Sequence, residues 1–129
     1  MTSPSANRDN RRTLGAAGER LAALYLEQRG YQIIARNVRL RGGELDIVAR
    51  DGDCLVFVEV RLRHAASSGV ALESITPAKR RRLRFLLAQY CSTLPEQPAE
   101  VRIDVVGLCI GPRGTLDEVA LVKNAVEDE

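Results

Sequence analysis

The chain has 129 residues, of which 45% are hydrophobic and 28% charged, and its net charge is +2. This size predicts one globular domain around a single core, and so small a net charge does not by itself indicate a nucleic-acid partner. No apolar run is long enough to cross a membrane, and the polar N-terminus lacks the hydrophobic segment of a signal peptide, so we expect a cytoplasmic protein. The three cysteines, Cys54, Cys91 and Cys109, lack any CxxC spacing, which argues against a disulfide framework or a zinc site.

The first predicted element is a helix that follows a polar arm. Residues 1–12 contain few apolar side chains, and we expect them to be disordered. Thr13 is a suitable cap for a helix that continues to about Arg29, with Gly30 in the position that ends it. Glu19 borders an apolar flank of this helix. Its pattern alone favours a solvated carboxylate paired with a neighbouring arginine over a functional group.

A β-hairpin is predicted in the middle of the chain. Its strands are Gly42–Arg50 and Asp53–Arg63, and its turn is centred on Asp51-Gly52, a dipeptide typical of tight hairpin turns. Because side chains alternate between the two faces of a strand, Leu45 and Ile47 are expected to point together into the core.

Acidic side chains gather on the other face of this hairpin. The predicted register places Glu44 opposite Glu59 and Asp46 opposite Phe57, which brings three carboxylates together. Like charges opposite one another destabilise a strand pair, and partial burial raises that cost. A cation is therefore expected beside them, either a divalent metal ion held by oxygen ligands or the guanidinium of Arg61.

The remaining elements complete an alternating pattern. A strand at Tyr31–Val38 precedes the hairpin, residues 64–74 are predicted to form a mobile loop, and Thr76-Pro77 opens a second helix. Two further strands are predicted at Val101–Ile110 and Thr115–Val122. The order helix, three strands, helix, two strands predicts an α/β or α+β fold, in which helices flank a central mixed sheet and the second helix makes a parallel crossover.

Basic residues are concentrated before the hairpin and at the start of the second helix. Five of them lie in the first two turns of that helix, where they oppose the helix dipole, which favours an anionic partner over a purely structural role. With only two Phe, three Tyr and no Trp, the chain is poorly suited to stacking on single strands, so the backbone of duplex or branched DNA is the expected partner. A plain solvated face is the alternative for the arginines before the hairpin. The residues predicted to contact phosphates are Arg36, Arg39, Arg41, Arg63, Lys79, Arg80, Arg81 and Arg84.

Five segments of the sequence together resemble the YraN-type family of uncharacterised bacterial proteins. That family is similar in fold to the restriction-endonuclease-like, or PD-(D/E)XK, nucleases and to Holliday-junction resolvases. The resemblance covers roughly residues 13–122, which we expect to form a single domain between the arm at 1–12 and an acidic tail at 123–129. The segments that carry it are Gly15–Glu19, Gly43–Asp46, Phe57–Arg63, Lys79 and Arg102–Val106.

The resemblance implies a restriction-endonuclease-like fold and metal-assisted hydrolysis of phosphodiesters. By analogy, Asp46 and Glu59 would bind Mg²⁺ or Mn²⁺, Glu19 would join them from the first helix, and Arg61 would stand where such nucleases carry a lysine. Glu44 is added to the metal ligands because the hairpin pattern places it beside them. Resolvase-like relatives act as dimers, so a homodimer is also implied.

Two functions remain open at this stage. One is a metal-dependent endonuclease that acts on duplex or branched DNA. The other is a catalytically weakened or inactive nucleic-acid-binding module, because an arginine stays protonated and Arg61 cannot act as a general base. Lys79, early in the second helix, could supply the missing amine.

Overall fold

The computed structural model describes residues 4–64 and 76–125. That part of the chain confirms the predicted order of one helix, three strands, one helix and two strands. Its elements are α1 (Pro4–Gln28), β1 (Gln32–Leu40), β2 (Gly43–Asp51), β3 (Cys54–His64), α2 (Pro77–Cys91), β4 (Glu100–Ile110) and β5 (Leu116–Val122).

The five strands form one mixed sheet in the order β1-β2-β3-β4-β5. Neighbouring strands are antiparallel, except that β3 and β4 are parallel and are connected through α2, as predicted. Side chains such as Leu26 of α1 pack with Val56 and Val106 on one face of the sheet, whereas Leu86 of α2 packs with Phe57 on the other. The sheet therefore separates two cores, each covered by one helix, and the arrangement fits a nuclease-like fold.

The first helix begins earlier than the sequence predicted. It starts at Pro4 and not at Thr13, because a proline is compatible with the first turn of a helix and the residues that follow contain no helix breaker. It ends near the predicted position, where Gly30 adopts a φ of +93° and Tyr31 donates a backbone hydrogen bond to the carbonyl of Leu26. The predicted division into a disordered arm, a domain and an acidic tail stays a prediction.

The predicted register of the hairpin is wrong by two positions. Asp51 pairs with Cys54, so the turn consists of Gly52 and Asp53 and lies one residue further along the chain than predicted. Gly52 takes a φ of +62°, which suits the first central position of a two-residue turn. Phe57 is consequently opposite Val48 and not opposite Asp46.

The pairing of Glu44 with Glu59 is wrong for the same reason. Glu44 pairs instead with Arg39 of β1, and the β2–β3 ladder ends at the pair Ile47 and Val58. A shift of two positions does not by itself move a side chain to the other face, because the side-chain period of a strand is two. The carboxylates therefore stay near one another without being cross-strand partners.

A local irregularity changes the direction of one core residue. Leu45 packs with Val48 against α2, whereas Ile47 packs on the α1 face, so the prediction that Leu45 and Ile47 share a face is wrong. On the neighbouring strand, Asn37 has a φ of +53°, a left-handed conformation that asparagine tolerates. The alternation is interrupted where β2 reaches Asp46, and this carries the carboxylate to the place where β2 and β3 separate.

The second helix begins as predicted. Thr76 accepts a hydrogen bond from the backbone N–H of Lys79 through its hydroxyl, at 3.2 Å, and Pro77 occupies the first turn. The mobile loop predicted before it lies outside the described residues, apart from His64 at the end of β3. Within residues 4–64 and 76–125, no helix is both long and apolar enough to span a membrane.

Candidate functional site

A cleft of about 190 Å³ opens between α2 and the ends of β2 and β3. Its floor is apolar and includes Phe57, Leu86 and Ile103. Charged side chains of both signs line the rest of it, and they are Glu44, Asp46, Glu59, Lys79 and Arg82. The cleft therefore brings together the central residues of the predicted site.

Asp46 lies where the β2–β3 ladder has ended. Its Oδ2 accepts a hydrogen bond of 2.9 Å from the backbone N–H of Val60, which replaces a strand-to-strand bond. Burial is the main reason why the pKa of this carboxyl is raised above its ordinary value, and the charges of Glu59 and Glu44 raise it further. The hydrogen bond from Val60 and the charge of Lys79 act in the opposite direction. Ionisation of the Asp46 carboxyl is therefore less favourable in the folded protein than in water.

Glu59 is almost buried, with 10% of its side chain exposed, and it lies between two cations. Lys79 Nζ is 2.6 Å from Oε1, and Arg61 Nε is 3.4 Å from Oε2. The contact with Arg61 is an ion pair without hydrogen-bond geometry, and Oε2 accepts no hydrogen bond. The buried carboxylate oxygen on the side of Arg61 is therefore without a hydrogen-bond donor.

Glu19 reaches the same region from α1, on the other side of the sheet. The pKa of its carboxyl is raised, first by burial and then by the charges of Asp46 and Glu44. The charge of Arg36 and a hydrogen bond with the Asn37 side chain lower it. Its Oε2 is buried without a hydrogen-bond partner. Both sequence-based interpretations of Glu19 are thus visible, since it lies beside an arginine and also beside the acidic cleft.

The acidic residues do not form a three-ligand metal cage. In the described part of the chain, no three Asp, Glu, His or Cys side chains are close enough together to hold a metal ion. Glu44 is exposed and contributes to Asp46 and Glu19 through its charge. Asp46 and Glu59 remain as a pair, and one or two carboxylates are sufficient for Mg²⁺, which keeps several water ligands. The donor-free Oε2 of Glu59 is consistent with such an ion.

The predicted basic residues lie at different positions relative to the cleft. Lys79 lies in the cleft and Arg36 beside Glu19. Arg61 contacts Glu59 and does not line the cleft, because Lys79 occupies that side. Among the described residues, the other predicted phosphate contacts lie outside the cleft lining, and they are Arg39, Arg41, Arg63, Arg80, Arg81 and Arg84.

Arg82 lines the cleft but was not among the predicted site residues. A Cβ at Gly43 would lie 3.0 Å from its Nη2, so the guanidinium extends across the start of β2. Helical spacing could have identified it, because Arg82, Leu83 and Leu86 lie three, four and seven residues after Lys79 and share one face of α2 with it.

The fold and cleft define an α/β protein of nuclease-like architecture with an acidic centre and cationic walls. Comparison with known sequences then places the chain in a family. Residues 18–108 match the model described as "Uncharacterised protein family UPF0102". The chain therefore belongs to this family, and its predicted resemblance to YraN-type proteins is confirmed.

Individual relatives match most of the chain. A UPF0102 protein from Symbiobacterium thermophilum is 47% identical over 114 residues, which cover 88% of this chain and 96% of the relative. One from Chloroflexus aurantiacus is 54% identical over 100 residues, covering 76% and 80% respectively. A third, from Mycolicibacterium vanbaalenii, is 44% identical over 115 residues, covering 89% and 94%.

Proposed function

We propose that this protein is a metal-dependent endonuclease that acts on duplex or branched DNA. The observation that carries the proposal is the pairing of Glu59 with Lys79 beside Asp46. A nearly buried carboxylate with one donor-free oxygen lies next to a second carboxylate whose charge is disfavoured, and both face an ammonium group. Oxygen ligands for a cation next to a cation for a phosphate form a combination suited to phosphodiester chemistry.

Asp46 and Glu59 are the residues that would hold Mg²⁺ or Mn²⁺. When bound, such an ion lowers the pKa of a coordinated water and neutralises charge on the phosphate. The chain's own contribution is the placement of its cations. Lys79 holds its ammonium at Glu59 while 46% of its side chain is exposed, so it can also reach a phosphate in the cleft. Arg82 supplies a second positive charge on the same wall.

Lys79 can also take the role of the lysine that such nucleases carry at the position of Arg61. Arg61 is 13% exposed and contacts Glu59, so it can contribute only a fixed charge. Lys79 lies on the cleft side of Glu59, with its ammonium 2.6 Å from Oε1, and can direct its positive charge at a phosphate in the cleft. In the proposed enzyme, Lys79 takes the position of the amine that the family resemblance would assign to residue 61.

A plasmid-nicking assay with Mn²⁺ tests this assignment. We expect Glu59→Gln and Lys79→Met each to reduce nicking by at least about 10²-fold, the usual contribution of a positioned acid–base group. The matched control is Glu96→Gln, an equivalent change at an exposed glutamate in the loop after α2, which should nick like the parent. Parental activity in Glu59→Gln would contradict the proposal and identify a contaminating nuclease.

The second candidate is a nucleic-acid-binding module without catalysis. It is favoured by the two cations that already neutralise Glu59 and by the lack of a three-ligand cluster among the described residues. Arg61→Lys separates this module from a weakened form of the proposed enzyme. A weakened enzyme should gain activity from it, whereas a binding module should stay inert in every variant while its affinity for DNA falls steeply with salt.

A further inference from the structure

An exposed aromatic ring lies on α2 beside two residues that line the cleft, and it takes no part in the chemistry described above. Phe85 of α2 is 54% exposed, although most large apolar side chains of this helix face the core. It follows Arg82 by three residues and precedes Leu86, and both of these line the cleft. The ring is therefore within one helical turn of two residues that line the cleft.

The backbone of the β1–β2 turn lies against one side of this ring. A Cβ at Gly42 would lie 3.4 Å from Cε2 and 3.9 Å from Cδ2 of Phe85, so the ring rests close to the glycine backbone. Gly42 has a φ of +93°, a conformation that side chains rarely adopt. The next residue, Gly43, is in similarly close contact with Arg82 and Leu86. Phe85 thus has one covered side and one side open to solvent.

We propose that Phe85 is a stacking platform for one unpaired base, and that the preferred substrate is DNA with an unpaired nucleotide next to the cleaved phosphate. The inference rests on the proposed function and specifies its substrate class. Aromatic side chains stack on bases of any sequence, but the faces of the bases inside a continuous duplex are covered by their neighbours. Phe85 can therefore stack on a base only where a DNA strand separates from the duplex.

The charges around the ring favour a nucleic acid as its occupant. Arg41 precedes Gly42 in the turn and is exposed, and Arg81 lies one helical turn before Phe85 on the exposed surface of α2. Arg82 continues the positive charge into the cleft. An aromatic ring among arginines matches a polyanion with an accessible base, because the arginines contact phosphates while the ring takes the base.

The chain contains no tryptophan, so Phe85→Trp introduces a single tryptophan at the platform, whose emission can be excited selectively over that of the three tyrosines. We expect its emission to be quenched by a duplex with a single-stranded arm, and not by a fully paired duplex of the same length, both in EDTA to prevent cleavage. The matched control is Leu24→Trp, at a side chain that is 56% exposed on α1, across the sheet from the cleft. Its emission should not distinguish the two DNAs.

Affinity gives an independent readout. Phe85→Leu should weaken binding to the armed duplex by at least about fivefold, the lower end of what base stacking contributes, and leave binding to the paired duplex unchanged. If the parent binds neither DNA, the proposed function itself fails. If it binds both equally and Phe85→Trp is not quenched, the platform is wrong while the nuclease proposal stands. Loss of self-association in Phe85→Leu without any effect on DNA would assign the ring to a protein interface instead.

Discussion

At Asp46, a carboxylate is held where its charge is disfavoured. Because burial and the neighbouring carboxylates raise its pKa in the folded state, the native protein binds this proton more tightly than the unfolded chain does. The ionised carboxylate therefore destabilises the fold at pH values above the folded-state pKa. That cost disappears as the pH falls through the folded-state pKa towards the ordinary value.

Asp46→Asn should accordingly stabilise the metal-free protein. The amide oxygen can still accept the hydrogen bond from Val60, while the unfavourable charge is removed. We expect the Tm at pH 7 in EDTA to rise by about 1 to 4 °C, from the few tenths to one kcal/mol that adjacent like charges cost. The gain should shrink as the pH is lowered.

Two comparisons make this test specific. Asp53→Asn changes an exposed aspartate in the hairpin turn and should leave the Tm unchanged. Millimolar Mg²⁺ should raise the Tm of the parent but not that of Asp46→Asn, because only the parent retains both carboxylates of the proposed site. An Asp46→Asn variant that is less stable than the parent in EDTA would contradict the electrostatic account of the site.

At the scale of elements, α2 connects helix capping to the site. The hydroxyl of Thr76 accepts a hydrogen bond from the backbone N–H of Lys79, the residue whose side chain reaches Glu59. The first turn of the helix therefore holds Lys79 in place. A change at Thr76 should affect both the stability of the helix and the position of the ammonium group.

We expect Thr76→Ala to lower the free energy of unfolding by about 1 kcal/mol, the typical contribution of an N-cap. Thr76→Ser is the matched variant, because it retains the hydroxyl and should remain near the parent. The measurement is urea denaturation of the three proteins at pH 7. Equal destabilisation by Ala and Ser would show that the methyl group of Thr76, and not the cap, is responsible.

The same elements show what sequence patterns can and cannot predict. Alternation and turn signals predicted the order of the elements along the chain, because that order depends on local periodicity, and the helix between the third and fourth strands predicted the parallel crossover. The predicted register is wrong because the turn is closed by the pair Asp51 and Cys54. The local pattern does not determine whether the turn begins at Asp51 or one residue later. The predicted direction of Leu45 is wrong because β2 departs from strict alternation between Leu45 and Ile47, which the sequence pattern of this strand does not indicate.

The site shows a similar division. Hairpin alternation and the family resemblance predict Asp46 and Glu59 as site residues. Both line the cleft although the predicted register is wrong, because a shift of two positions does not by itself move a side chain to the other face. The ion pair between Lys79 and Glu59 joins α2 to β3 across the chain, and no periodicity within either element specifies it. Arg82 was missed although its helical spacing relative to Lys79 was available in the sequence.

At the scale of the whole molecule, a polar network around Asp104 joins segments that are distant in the sequence. Asp104 of β4 is fully buried, and its carboxylate accepts hydrogen bonds from Tyr31 at 2.7 Å, Arg102 at 2.8 Å and the Asn124 backbone at 2.8 Å. Arg102 also donates to Asp51 at 2.7 Å. The network links the end of α1, the hairpin turn, β4 and the segment after β5, over sequence separations that no local pattern predicts.

Asp51 gives this network a dependence on pH. The hydrogen bond from Arg102 is the main reason why the pKa of its carboxyl is lowered, and Lys123, with Nζ 3.3 Å away, lowers it further against the effect of burial. The unfolded chain therefore binds this proton more tightly than the native protein does. The stabilisation is fully present above the ordinary pKa of an aspartate and is lost as the pH falls through the lower, folded-state value.

Asp51→Asn should therefore destabilise the protein at pH 7 and converge with it in acid. We expect a loss of about 1 kcal/mol at neutral pH, which is less than the roughly 1.5–3 kcal/mol of a hydrogen bond to a charged group because about a quarter of the side chain is exposed. Urea midpoints measured from pH 7 downwards should show the difference closing as the parent's carboxylate takes up its proton. Asp53→Asn, in the same turn and exposed, should follow the parent throughout. A difference that persists unchanged into acid would mean that Asp51 stabilises the turn through its shape and not through its charge.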